Sequence, residues 1–443
     1  MILIDTEMGM NMNKNKVNKI LIKNGLIVDT IKNKEYKANL YIEDGRIVDI
    51  KDNIKVNTKE VFEIDAKGCT ILPGLIDMHV HLREPGLEEK ETILTGTQAA
   101  LAGGITSIAC MPNTEPVIDS PSLVGYITGK AAGTGCNIYP VAAMTRGLEG
   151  RDITEMGLLV EAGAAGFSDD GRSVTDEKLM YEIMRYSKQF EKPLILHEEV
   201  YSFSKYGLVH EGKYSTKLGL EGIPALADDL MIGRDIVLAK KTGARIHITH
   251  ISTAGAVDMI RAAKADGVDI SCDVTAHHLF FNDSSLESFD TNLKVKPPIR
   301  SAVDQEALIE GAADGTIDAI VSDHAPHLDT EKNTTFKLAE FGTTGLETLF
   351  AASYTKLCRE KDVPLIRLAK LMGTGPAKIL DIDAGAIKAG GAADITVIDT
   401  GKEFTVDAGD FRSKSRNSAF IGQRLFGQVK YTISNGKIEY ESG

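Results

Sequence analysis

Two histidines, His79 and His81, stand two residues apart in the run Asp77-Met78-His79-Val80-His81-Leu82-Arg83-Glu84-Pro85-Gly86. Side chains alternate across a strand, so both imidazoles project to one side and can reach a single metal centre. A His-x-His pair also arises by chance in ordinary strands, so the rest of the chain decides its meaning. Asp169-Asp170-Gly171, His197, His250 and Asp323 each stand where a short apolar run ends. Four imidazoles and two carboxylates are enough to hold two divalent ions with positions left for water, and zinc is the default for such donors. Two divalent cations bring about +4, while two carboxylates and a bridging hydroxide bring about minus 3. The remaining charge of about +1 suits an anionic substrate.

Arg83 lies two residues past His81 and points into the same mouth, with a planar fork that matches a carboxylate. Asn113, in Cys110-Met111-Pro112-Asn113-Thr114, offers an amide donor and acceptor; its plainer reading is an Asx turn or a helix cap. His327, in Ser322-Asp323-His324-Ala325-Pro326-His327, is placed to reach the same ligand, whereas His324 is read as support for the loop. His247 is three before His250, faces the opposite side and reads as structural. His277 and His278 read as groups that order the site, a direct role staying open. His210 is assigned no role.

Residues this far apart need a scaffold that gathers strand ends. Between about Ile71 and Leu380, strand-like runs alternate with helix-like segments, the pattern of repeated βα units. Eight candidate strands centre on Ile76–Leu82, Thr106–Pro112, Asn137–Met144, Ala164–Ser168, Pro193–His197, Arg245–Ile251, Asp269–Thr275 and Ile317–Ser322. Amphipathic stretches such as Asp176–Phe190 and Ala254–Ala265 lie between them, the second stopped at Gly267. Eight such units predict a (β/α)8 TIM-like barrel, in which the C-terminal strand ends meet at one mouth. A doubly wound open sheet is the alternative fold, weakened by the lack of a Gly-x-Gly-x-x-Gly after the first strand.

Both ends of the chain carry a different grammar. Short β-like runs with Asn24-Gly25, Asp44-Gly45 and Asn435-Gly436 at turn positions predict a small antiparallel sheet and one β-domain built from both termini. The expected organisation is an extension over 1–16, a composite β-sandwich over 17–70 and 381–443, and a metal-dependent catalytic barrel over 71–380. The net charge of −13 argues against a nucleic-acid or acidic-membrane surface. Five scattered cysteines with no Cys-x-x-Cys pair signal neither a disulfide framework nor a thiolate zinc site. A cytoplasmic protein is expected, since no apolar stretch approaches the ~18–20 residues of a membrane span.

In these blocks the sequence resembles the long-chain bacterial dihydroorotases of the amidohydrolase superfamily. The likeness is carried by the Asp77-to-Gly86 run, Met111-Pro112-Asn113-Thr114, Ser168-Asp169-Asp170-Gly171, His250-Ile251-Ser252-Thr253, Asp323-His324-Ala325-Pro326-His327 and Ser413-Lys414-Ser415-Arg416-Asn417. The resemblance implies metal ligands at His79, His81, His197, His250, Asp170 and Asp323. It favours Asp170 as the bridging carboxylate, with Asp169 as the fallback. It also implies substrate contacts at Arg83, Asn113, His327 and the backbone around Phe341-Gly342. Where the family pattern has Asn before Pro-Pro, this chain has Lys296, a cation at a substrate-contacting position that puts ring specificity in question.

The activity implied is reversible cyclisation of N-carbamoyl-L-aspartate to L-dihydroorotate in pyrimidine (UMP) synthesis. A metal-bound hydroxide and Asp323 as general acid and base would run it, with two zinc ions per subunit. The alternatives are another cyclic amidohydrolase, allantoinase or hydantoinase, or a non-catalytic scaffold for aspartate carbamoyltransferase. Arg83 argues against the first, and the full ligand set argues against the second. A homodimer is the expected oligomer, with a carbamoyltransferase complex as a further association. The polar stretch from Leu328 to Glu340 is read as a lid.

Overall fold

Every residue of Leu75–Val80 is buried, as a strand covered on both faces requires. In the computed structural model this run is the first stave of a parallel barrel. The structure describes residues 18–57 and 60–442, so the expected extension over 1–16 lies outside the described residues. The eight strands are Leu75–Val80, Ile105–Cys110, Asn137–Ala142, Gly166–Phe167, Leu194–Leu196, Ile246–Ile248, Ile270–Thr275 and Ala319–Val321. Each pairs parallel with the next. They are the strands read from the sequence, most of them ending before the apolar run does. That leaves the histidines and aspartates at the ends of the runs on the barrel's mouth.

Closure is made by polar groups. Val80 and His324 form a parallel bridge, and the His81 amide donates to the His324 carbonyl at 2.9 Å. Asp77, fully buried, accepts from the amide of Ser322 at 3.2 Å and from that of His79 at 3.2 Å. One carboxylate thus joins the first strand to the end of the eighth.

The helices follow their sequence signals. Asp176 caps Glu177–Ser187 by accepting from the Leu179 amide, and Thr253 caps Ala254–Ala265 through the Ala256 amide. Gly267, just past that helix, has φ +79°, a conformation a side chain disfavours. Among the described residues, no helix is long and apolar enough to cross a membrane.

The terminal segments build two sheets sharing one core, as a β-sandwich requires, although their pairing is not antiparallel throughout as the turn signals suggested. Arg46–Lys51, Asn39–Glu43, Lys19–Lys23 and Phe62–Asp65 form one; Lys437–Glu441, Arg424–Ser434, Ile395–Thr405, Thr70–Pro73, Leu26–Asp29 and Lys34–Lys37 form the other. Ile20, Leu40, Ile47 and Ile64 from the first share a core with Ile27, Ile71, Ile395 and Ile433 from the second, so both ends of the chain contribute. Asp44-Gly45 and Asn435-Gly436 do close hairpins. Asn24-Gly25 instead turns the chain from one sheet into the other, and the strands on either side of it pair parallel with Phe62–Asp65 and Thr70–Ile71. The corner is tight, since a Cβ on Gly25 would meet Ile71 Cδ1 at 2.4 Å.

Burial raises the Asp77 carboxyl to about 7, against the hydrogen bonds from Ser322 and His79. Between pH about 4 and about 7 the fold therefore holds this proton more tightly than the unfolded chain does. The stability Asp77 confers should fall as pH rises across that window. Asp77→Asn should flatten that slope, while Asp77→Ala, which orphans two buried amides, should cost about 2–4 kcal/mol. Urea unfolding of metal-free protein at several pH values measures both.

Candidate functional site

Six side chains from five strand ends converge at the mouth. His79 lies on the first strand and His81 one residue past it; Asp170, His197, His250 and Asp323 follow the fourth, fifth, sixth and eighth strands. All six are buried or nearly so. Asp170 is at the centre. Its Oδ2 lies 3.5 Å from His79 Nε2 and 3.6 Å from His81 Nε2. Its Oδ1 lies 3.4 Å from His197 Nδ1 and 3.5 Å from His250 Nε2. Two donor groups result, His79 with His81 and His197 with His250, sharing one carboxylate. Asp323 Oδ1 flanks the first pair, 3.2 Å from His81 Nε2 and 3.6 Å from His79 Nε2.

This arrangement fits cations. His79 Nε2 and Asp170 Oδ1 are buried without a hydrogen-bond partner, which is costly unless something else satisfies them. Burial alone would raise Asp170, yet His79, His197 and His250 hold its carboxyl well below the usual range. Burial alone would lower His79, yet Asp170 and Asp323 push it up to about 10. Buried acids that stay ionised beside His79 and His197, both pushed toward the charged form, are a donor set demanding positive charge, and the imidazole-carboxylate mix suits zinc or a similar divalent ion.

Asp169 does not take part. Its carboxylate accepts from the Met144 amide at 2.8 Å, the Thr145 amide at 2.9 Å and the Thr145 hydroxyl. Of the adjacent pair, one carboxylate therefore braces the loop after the third strand and the other faces the histidines.

The imidazoles are held from behind. His79 Nδ1 lies 2.7 Å from Thr249 Oγ1, and Thr249 donates to Asp273 Oδ2 at 3.0 Å. Asp273 also lies 2.8 Å from His247 Nε2 and accepts the His250 amide at 2.6 Å. His247 is thus structural, as its position suggested, and its partner Asp273 is a supporting residue that sequence reasoning missed. His250, Asp323 and Arg83 have φ of 39°, 46° and 61°, a left-handed conformation costing about 1–2 kcal/mol for residues with a Cβ. The short bond from the His250 amide to Asp273 offsets part of that cost.

Of the expected substrate contacts, Arg83 donates from Nε to the Pro326 carbonyl at 3.2 Å, beside His327. Asn113 places Oδ1 2.9 Å from His81 Nδ1, so it also orients a candidate ligand. His327 Nε2 lies 2.9 Å from the Phe341 carbonyl oxygen, which joins His327 to Phe341-Gly342. Burial, with Arg83, Lys90 and Lys332 nearby, lowers His327 to about 3 and keeps its ring neutral. Lys296 is paired, Nζ lying 2.9 Å from Glu199 Oε2, a partner 97 positions away with no local mark in the sequence. His324 supports the loop through Glu91 at 3.2 Å. His278 is held by Thr275 and the Pro297 carbonyl, while His277 Nε2 is buried and unpartnered. The stretch read as a lid is tied down: Lys332 Nζ donates to the carbonyls of Glu340 and Gly342, and Lys294 Nζ to those of Lys337 and Ala339.

Comparison with known proteins shows the family. A family model described as Dihydro-orotase-like matches residues 68–256. A dihydroorotase of Caldanaerobacter subterraneus subsp. tengcongensis is 45% identical over 96% of this chain and 97% of its own. One of Syntrophus aciditrophicus is 45% identical over 96% of this chain and 99% of its own. Among solved structures, the L-hydantoinase of Arthrobacter aurescens superposes with a TM-score of 0.86 at 24% identity, covering 96% of each chain, a likeness of fold.

Thr249→Val removes the group that fixes His79 Nδ1 while keeping the side chain's shape. Loss of such a support should weaken divalent-metal affinity about 10–100-fold. Competition with a chromophoric chelator reads this directly.

Proposed function

The chain belongs to the dihydroorotase family of metal-dependent cyclic amidohydrolases, and from that membership and the buried donor set we propose how its residues interconvert N-carbamoyl-L-aspartate and L-dihydroorotate. The observation that carries the reading is Asp170 shared between two imidazole pairs, with Asp323 beside the first. His79, His81 and Asp323 with Asp170 would hold one divalent ion, and His197, His250 and Asp170 a second. Bound there, two such ions would supply Lewis-acid polarisation of the ring carbonyl and a lowered pKa for the attacking water.

The protein's own groups bind the substrate and move the proton. Arg83 takes the substrate carboxylate through its fork. Asn113, neutral His327 and the Phe341-Gly342 backbone offer hydrogen bonds to the rest of the ring. Lys296 is held at the edge of this set by Glu199, so its charge is compensated and does not compete with Arg83 for the carboxylate. Burial would raise Asp323, but His81 and His79 hold it well below the usual carboxylate range, so it enters the reaction ionised. In hydrolysis Asp323 takes the proton of the attacking water and delivers it to the ring nitrogen as the C–N bond breaks. In cyclisation the attacking ureido nitrogen loses that proton to Asp323, which returns it to the departing carboxylate oxygen; with a second proton from solvent that oxygen leaves as water.

The same proposal takes zinc as the metal, two ions per subunit, a cytoplasmic homodimer serving pyrimidine synthesis, and association with aspartate carbamoyltransferase. It takes 71–380 as the catalytic unit and 17–70 with 381–443 as the β-domain. Retention of every donor supports an enzyme over a scaffold.

Asp323→Asn should lower turnover in both directions by at least ~100-fold. Arg83→Lys should chiefly raise KM, by about tenfold, because a point charge replaces a two-pronged contact. Assays on dihydroorotate, hydantoin and allantoin check both; turnover of hydantoin or allantoin but not dihydroorotate would overturn the substrate assignment.

A further inference from the structure

The block Ser413-Lys414-Ser415-Arg416-Asn417 lies in the C-terminal part of the chain, between Ile395–Thr405 and Arg424–Ser434, two strands of the terminal β-domain. It nevertheless bonds to the loops that follow the first and eighth barrel strands. Ser413 Oγ and the Lys414 amide donate to the buried Glu91 carboxylate, which also holds His324. Ser415 Oγ donates to the Lys90 carbonyl at 2.6 Å.

Asn417, itself buried, reaches furthest. Its Oδ1 accepts the His327 amide at 3.0 Å. Its Nδ2 donates to the carbonyls of Ala325 at 3.1 Å and Gly342 at 3.3 Å. Its own backbone carbonyl accepts the Thr344 amide at 2.9 Å and the Thr343 hydroxyl at 3.2 Å. His327 and Gly342 are 15 positions apart, on the two ends of the loop tied down by Lys294 and Lys332. A single carboxamide bridges them, accepting from one and donating to the other.

We propose that Asn417 is a positioning residue through which the terminal β-domain sets the spacing of His327 and Gly342, and so the affinity for the substrate ring. The inference rests on the reading that those two groups contact substrate. Chemistry explains the residue type. Only a side chain with both a donor and an acceptor satisfies an amide on one side and two carbonyls on the other. A carboxylate would keep the His327 contact and turn its second oxygen on two carbonyl oxygens; a methyl group would leave the His327 amide and the Ala325 carbonyl unpaired and the Gly342 carbonyl to Lys332 alone. Asn417 hydrogen-bonds to none of the candidate metal ligands, its partners being His327, Ala325, Gly342, Thr343 and Thr344, so its loss should act on binding more than on the chemical step.

The test compares Asn417→Ala, Asn417→Asp and Ser415→Ala with the unaltered zinc-loaded enzyme, measuring KM and kcat on dihydroorotate well below each melting temperature. Ser415 belongs to the same segment but bonds only to Lys90, so its variant reports on merely anchoring that segment. Both Asn417 variants should raise KM about tenfold or more with kcat within about threefold and metal content unchanged. Ser415→Ala should leave KM unchanged, whatever its effect on melting. An unchanged KM in either folded Asn417 variant, or an equal rise in Ser415→Ala, overturns the proposal. If Asn417→Ala does not fold, Asn417→Asp, which keeps shape and the His327 bond, decides alone. An unaltered enzyme inactive on dihydroorotate would instead count against the substrate reading.

Discussion

One carboxylate, Asp170, faces four imidazoles at the mouth of a barrel, each of its oxygens within 3.6 Å of two ring nitrogens. The rest of the structure depends on that juxtaposition. A buried carboxylate is expensive to desolvate, and it pushes His79 and His197 toward the protonated form, a demand for positive charge that bound cations would meet. Placing such a group demands rigidity on every side. A helix surface or a mobile loop would let it relax; strand ends locked in a closed parallel barrel do not.

The supports can be followed outward. Asp77 joins the first and last strands, so His79 and Asp323 approach each other across the seam. Thr249 and Asp273 fix the His79 ring and hold the His250 backbone in a conformation it would otherwise leave. Asn113 fixes the His81 ring. Glu91 receives His324 from the barrel and Ser413 from the C-terminal segment, and thereby couples the terminal β-domain to the seam beside Asp323. Apart from half-buried Asn113, each support is a buried polar group satisfied by another, so the network is strong when complete and costly when broken at one point.

Much of this was legible in the sequence, for a physical reason. Strands buried on both faces read as apolar runs, and a ligand at a strand's C-terminal end is a polar residue terminating such a run, so both scaffold and donors leave local marks. His247 could be set aside from its spacing to His250 alone. The supports leave no comparable mark. Asp273 sits inside a strand, where a lone acid has no periodic signal, and its partners are 23 to 26 positions away. Asn417 stood in a recognisable block, yet its role depends on a meeting with residues 75 and 90 positions distant. Glu199 and Lys296 likewise meet only through the barrel's curvature. The Asn24-Gly25 turn was legible as a turn but not as a corner between sheets, because the residue types that permit positive φ do not specify which strands pair afterwards.

The central claim, that Asp170 is shared by two metal positions, is tested most directly by anomalous diffraction at the zinc edge from crystals of the zinc-loaded protein. The account predicts two peaks per chain about 3.5–4 Å apart, one beside His79 and His81 and the other beside His197 and His250, with Asp170 between them. A single peak, or a second one that Asp170 does not touch, would contradict it.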